Sequence, residues 1–162
     1  VKRHRDRVAK LIQCDTKAEA DTDEARATRL KAAEHVLANG PEALVATMMP
    51  KLFADSTIAN QPEVVEATRD VMLNTALSAI AAAQRGMAER PDVTEELAKR
   101  DVPTLILVGE HDAISPPDEM REIANAIPGA RFVQIDGAGH MAPLEDPPAV
   151  NAAILEFLTD GK

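Results

Sequence analysis

The sequence predicts an α/β fold: a short parallel sheet of three strands, near residues 8–13, 103–108 and 131–135, with helices packed around it. Three observations lead there. Thr104-Leu105-Ile106-Leu107-Val108 is an unbroken apolar run rich in β-branched residues, as a strand buried on both faces requires. A helical pattern and then Arg131-Phe132-Val133-Gln134-Ile135 follow it, which is the order of one right-handed βαβ unit. Residues 19–90 carry helical patterns and no strand signal, so a helical insertion separates the first strand from the second.

Each element has its own justification. Val8 to Cys14 reads as a strand that ends at Asp15-Thr16. Asp21 or Thr22 can cap a helix carrying Ala25, Leu30, Ala33, Val36 and Leu37, and Asn39-Gly40 closes it. Pro41 starts a second helix, with Leu44, Val45, Met48 and Met49 on one side. Pro62 starts a third, with Val64, Val65, Val71 and Met72, and a fourth runs from Thr75 to Glu89. Ala54-Asp55-Ser56-Thr57 is expected as a loop among them. Four helices inserted between two strands of a parallel sheet are expected as a cap over the strand ends. Residues 1–18 and 92–162 then form the core, 19–91 the cap, and Arg90-Pro91-Asp92 the linker back. Ser115-Pro116-Pro117-Asp118 reads as a helix start, with Ser115 as cap, Pro116 in the first position and Asp118 completing a capping box. Met120, Ile123, Ala124 and Ile127 supply that helix's apolar face, and Pro128-Gly129 ends it. Asp146 caps the last helix, where Val150, Ile154, Leu155 and Leu158 have helical spacing.

The composition narrows the class. Apolar residues make up 45% of the 162 but aromatics only 2%, so a core built from Ala, Val, Leu, Ile and Met is expected. A net charge of −9 argues against nucleic acid or an anionic membrane as partner, since both demand a basic face. A lone cysteine, Cys14, cannot form an internal disulfide, which makes the reducing cytoplasm the expected compartment. No His-Glu-x-x-His, Cys-x-x-Cys or acidic calcium loop occurs, so no metal site is expected.

In open parallel sheets, ligands sit beyond the carboxyl ends of the strands. Asp112 and His140 both fall in loops leaving those ends. A carboxylate there can accept a hydrogen bond from one imidazole nitrogen, leaving the other free to act as a base. Asp15 also follows a strand end and is a second candidate acid. Cys14 is a candidate nucleophile on the correct side of the sheet, with a small buried strand residue as its plain alternative. His111 is expected to face solvent. Gly137-Ala138-Gly139-His140-Met141-Ala142 fits a dinucleotide fingerprint in letters only: Pro143 stands where the helix should begin, and no further strand completes the unit.

GEHDAISPP followed by GAGHMAPLEDPPAVNAAILEFL resembles the C-terminal part of an α/β-hydrolase, of the esterase and enol-lactonase kind. The resemblance implies a partial α/β-hydrolase fold and hydrolysis of a carboxylic ester or lactone without a cofactor. In that family the catalytic order is nucleophile, acid, histidine, and Asp112 and His140 match the last two. The nucleophile elbow, Gly-x-Ser-x-Gly, has no counterpart: the serines are Ser56, Ser78 and Ser115, none with glycine two residues to either side. RHRDRVAKLIQCDT resembles the stretch just past the elbow, so the elbow, the first strands and the first oxyanion-hole donor are expected before Val1. Arg85 and Met87, near the end of the cap, and Met141 are the substrate-binding residues the resemblance suggests, with ordinary helix packing as the alternative for the first two. The expected partners are a small ester or lactone and either an N-terminal half completing the sheet or a second copy in a homodimer, because a half sheet exposes a strand edge. The alternative function is a non-catalytic binding or self-assembly module derived from a truncated hydrolase.

Overall fold

A computed structural model describes residues 4–160. Strands β1 (Leu11–Cys14), β2 (Thr104–Gly109) and β3 (Arg131–Ile135) form one parallel sheet in that spatial order. Leu11 pairs with Thr104 and Leu105 with Arg131. All of β2 is buried, because its alternate residues feed two different cores. Ile106 and Val108 pack with Met120, Ile123 and Ile127 from the α7 side (Pro117–Ala126) and with Leu97 of α6 (Thr94–Leu97). Leu105 and Leu107 point the other way, into Ile135 and into Val150 and Phe157 of α9 (Pro147–Thr159). The short apolar run that marked this strand in the sequence is therefore explained by helices on both faces.

Strand β1 is shorter than the sequence suggests. Arg5–Arg7 forms a single 3-10 turn, and the ladder begins only where the Leu11 N–H meets the Pro103 carbonyl at 2.9 Å. Lys10, just before it, instead donates to the Phe157 and Asp160 carbonyls, both at 2.7 Å. A cation at the C-terminal end of α9 is favoured by the helix dipole.

Between β1 and β2 lie α1 (Asp23–Asn39), α2 (Glu42–Leu52), α3 (Asp55–Asn60), α4 (Pro62–Asn74) and α5 (Leu77–Ala88), before α6. The four expected helices are present, but Ala54 to Thr57 is no loop. Ala54 is extended, and its carbonyl accepts the Thr57 and Ile58 N–H groups at 3.0 Å, which opens α3. Thr22, not Asp21, caps α1, with Oγ1 accepting from the Ala25 N–H at 3.2 Å. That leaves Asp21 to pair with both Arg29 and Arg90, so one carboxylate ties the entry of the helical segment to its exit. The segment has its own apolar cluster of Val45, Met49, Leu52, Phe53 and Val65.

Helix α7 starts at Pro117, one residue later than expected, and Ser115 does not cap it. Ser115 is buried, and its N–H is taken by Asp112 Oδ1 at 2.9 Å, which fixes the residue in the preceding turn. Asp146 does cap α9, accepting from the Ala149 N–H at 2.9 Å. A short helix α8 (Ala142–Glu145) fills the gap after His140. Among the described residues, no helix is long and apolar enough to cross a membrane.

Candidate active site

The loops after β2 and β3 are stitched together by backbone. The Glu110 N–H donates to the Ile135 carbonyl at 2.9 Å, and the His111 N–H to the Ala138 carbonyl at 2.8 Å. Such closeness requires glycine at two points. A Cβ on Gly109 would run into the Gly139 carbonyl oxygen and stand 2.6 Å from that of Ala138; one on Gly139 would stand 2.6 Å from the Ala54 nitrogen.

Asp112 is buried at the end of this seam. Its Oδ1 accepts the Ile114 and Ser115 N–H groups at 2.7 and 2.9 Å, an Asx-type turn that locks the carboxylate plane. Its Oδ2 is left to face His140 Nδ1 at 2.9 Å. The His140 side chain is 21% exposed, and no described residue hydrogen-bonds its Nε2. Burial alone would raise the Asp112 carboxyl, but the His140 hydrogen bond and the two backbone N–H groups outweigh it and hold the group below its ordinary range. Burial alone would lower His140; the hydrogen bond and charge of Asp112, then the charges of Asp15 and Glu145, raise it instead.

Asp15, weighed in the sequence as an alternative acid, joins the pair rather than replacing it. A carboxylate oxygen of Asp15, one of Asp112 and a ring nitrogen of His140 all lie within 4.8 Å of one another. Asp15 sits at φ 47°, a left-handed backbone that Asp tolerates better than most residues, and its N–H donates to the Leu107 carbonyl at 3.1 Å. Its buried Oδ1 has no hydrogen-bond partner among the described residues. Burial, followed by the Asp112 charge, pushes its carboxyl up to about 7. Three such groups could in principle hold a cation. The donor set argues otherwise, because both Asp112 oxygens and His140 Nδ1 already satisfy one another or the backbone.

The other candidates scatter. Arg85 is exposed on α5, and Met87 Sδ lies 3.3 Å from Arg29 Nη1 on α1. Met141 differs: it is half-buried beside His140 and packs, with Ile114, Met48 and Met72, against the apolar cluster of the helical segment. Cys14 is exposed rather than buried, since it ends a strand paired only on its β2 side among the described residues. Partial desolvation and then the Asp15 charge raise its thiol, which disfavours the reactive thiolate. Ser56 donates to the Gly137 carbonyl at 3.2 Å, Ser78 is exposed on α5 and Ser115 is buried in the Asp112 turn. His111 is exposed, as expected. Glu145, which no motif in the sequence singles out, is buried on α8 and accepts hydrogen bonds from both neighbours of His140.

A family model described as TAP-like protein, of the α/β-hydrolase group, matches residues 64–162, which include both Asp112 and His140. The chain belongs to the α/β-hydrolase family. A thermophilic esterase from Thermogutta terrifontis superposes with a TM-score of 0.95 at 47% identity, over 97% of this chain and 58% of the esterase. The enol-lactonase of Burkholderia xenovorans LB400 superposes with a TM-score of 0.87 at 30% identity, over 98% of this chain and 59% of the lactonase. RutD of Pseudomonas syringae pv. syringae, named as a candidate carbamate hydrolase, is 29% identical over 125 residues, 76% of this chain and 48% of its own length. This chain of the α/β-hydrolase family thus spans less than two thirds of each of these relatives, and its fold is a partial α/β-hydrolase fold.

Proposed function

We propose that this chain supplies the acid and the histidine of a hydrolase acting on carboxylic esters or lactones. The observation that carries the reading is the Asp112–His140 hydrogen bond, made between loops leaving neighbouring strand ends, with no described residue bonded to Nε2. His140 Nε2 takes the proton of a serine hydroxyl as its oxygen adds to the ester carbonyl, and returns that proton to the departing alkoxide. Asp112 holds the ring in the tautomer with the proton on Nδ1 and stabilises the imidazolium that forms. A water then repeats the cycle and releases the acid. The serine would come from outside these 162 residues, because Ser56 donates to the Gly137 carbonyl, Ser115 is buried in the Asp112 turn, Ser78 is exposed on α5, and none of the three is hydrogen-bonded to His140.

Helices α1–α5 act in this reading as the cap. A cleft of about 310 Å³ there, lined by Leu44, Met48, Met72, Thr75 and Ile80 among others, suits the apolar part of a substrate. Met141 connects the two, since it lies next to His140 and packs on the same cluster as Met48 and Met72.

The test is hydrolysis of a short-chain p-nitrophenyl ester by the protein in the full length its gene encodes, with His140→Ala alongside. Turnover that the substitution reduces by about 10⁴-fold or more is the expected result. Turnover that survives it, or none in the parent, would overturn the reading.

The open edge of β1 supports a second reading. Its residues are at most half-buried while every residue of β2 is buried, so another strand fits beside it. If the full-length protein proves inactive, a binding or self-assembly module that pairs this edge in a homodimer takes over, and a light-scattering mass of one chain would exclude the dimer.

A further inference from the structure

We propose that Glu145 is the positioning residue for His140, and that through it the placement of the base is coupled to helix α3. This rests on the reading of His140 as the base. A buried carboxylate is costly unless its acceptors are filled. Glu145 is 6% exposed, and four donors fill it. Oε1 accepts the Gly139 N–H at 2.8 Å and the Met141 N–H at 3.1 Å, the N–H groups of the two residues that flank His140. Oε2 accepts the Ala54 N–H at 2.9 Å and Thr57 Oγ1 at 2.7 Å, both from the start of α3.

One side chain therefore grips the backbone on both flanks of the histidine and anchors that grip to a helix far away in sequence. The same seam carries the Met141 N–H to the Leu52 carbonyl at 3.0 Å, Ser56 Oγ to the Gly137 carbonyl at 3.2 Å, and Gln61 Nε2 to the Glu145 carbonyl at 3.2 Å. Gly139 has no space for a side chain on this side, so the loop lies flat against Ala54 and Phe53. A shift of α3 cannot leave these bonds intact unless the His140 loop moves with it. Thr57, a buried hydroxyl with Glu145 as its acceptor, is the residue through which the coupling can be loosened without removing the charge.

A carboxylate that only fills space would leave the histidine's titration alone. Glu145 does not, because its charge adds to those of Asp112 and Asp15 in raising His140. Glutamine at this position removes the charge and turns an N–H₂ donor toward the Ala54 N–H or the Gly139 and Met141 N–H groups, so at least one bond is lost.

The experiment is an NMR titration of the histidine rings in the full-length protein, with His140→Gln used to assign the signal, together with amide exchange at Gly139 and Met141. Glu145→Gln is expected to lower the His140 midpoint and to speed exchange at both amides about tenfold or more. Thr57→Val is expected to speed the same exchange several-fold, and Thr57→Ser, which restores the hydroxyl, to match the parent. A folded Glu145→Gln with an unchanged His140 midpoint and unchanged exchange would overturn the proposal. Should that variant fail to fold, Thr57→Val decides, and parental exchange in it is the overturning result. None of these readouts needs turnover, so an inactive protein would count against His140 as a base without touching Glu145's hold on it.

Discussion

Asp112 Oδ2 and His140 Nδ1 stand 2.9 Å apart, and backbone contacts between their two loops set that distance. The Glu110 and His111 N–H groups bond to the carbonyls of Ile135 and Ala138, and Gly109 lies directly under the 138–139 peptide. The pair is thus a product of how two parallel strands end, with the side chains locked afterwards.

Gly109→Ala tests that dependence. Its Cβ would collide with backbone oxygens, which cannot rotate away as a side chain would. The substitution should destabilise the fold by about 1–3 kcal/mol or more, as overpacking does, and spread the two loops. Denaturant unfolding measures the first, and the His140 ring shift the second. A variant of parental stability would show that the two loops part at no cost and that their close approach does not set the Asp112–His140 distance.

Asp112→Asn keeps the shape and the two backbone hydrogen bonds to the side-chain oxygen, but it gives up the carboxylate and presents an N–H₂ to the ring. The imidazolium loses its partner, so the His140 midpoint should fall. In the full-length protein kcat/KM should drop by about 10⁴-fold, the scale seen when a triad acid becomes an amide. A loss under tenfold would point to Asp15 as the acid in use, since it stands within the same 4.8 Å cluster.

Much of this was legible from local pattern. The run at Thr104–Val108 and the spacing to Arg131 identify a buried strand and its neighbour, and parallel strand ends place Asp112 and His140 on one side of the sheet. What local pattern misses is set by partners far along the chain. Glu145 looks like an ordinary acidic residue before a proline helix start; its role comes from N–H groups at 54, 139 and 141 and a hydroxyl at 57. Ser115 had every mark of a helix cap, yet Asp112 takes its N–H first. Helix α3 is six residues long, too short for periodicity to reveal, and is anchored by the same Glu145.

The pH dependence follows from the direction of the His140 shift. Only the neutral ring can act as base, and its pKa is raised above the ordinary 6.5. The acid limb of kcat/KM in the full-length protein should therefore lie above 6.5, with rates rising as pH rises through it. The stabilisation from the protonated pair runs the opposite way, being complete below 6.5 and lost as pH rises through the folded value. An acid limb below 6.5 would mean that Asp112 does not stabilise the protonated ring.

Asp15→Asn offers a test by stability alone. The Asp15 carboxyl is pushed up to about 7 from an ordinary 3.8, first by burial and then by Asp112, so the folded state holds a proton that the unfolded chain has released. For an acid raised in this way, folding loses stability as pH climbs from 3.8 toward 7, and the full penalty is present above that. Asparagine tolerates the left-handed backbone at this position and carries no charge to desolvate. The variant should gain on the order of 1–2 kcal/mol at pH 8, after discounting for the group's partial exposure to solvent, and nothing near pH 3, where both states are protonated. Thermal unfolding across that range measures it. A gain of equal size at both ends would mean that the carboxyl's charge is not what the fold is working against, and a loss at pH 8 would mean that Oδ1, without a partner among the described residues, has a donor the native protein needs.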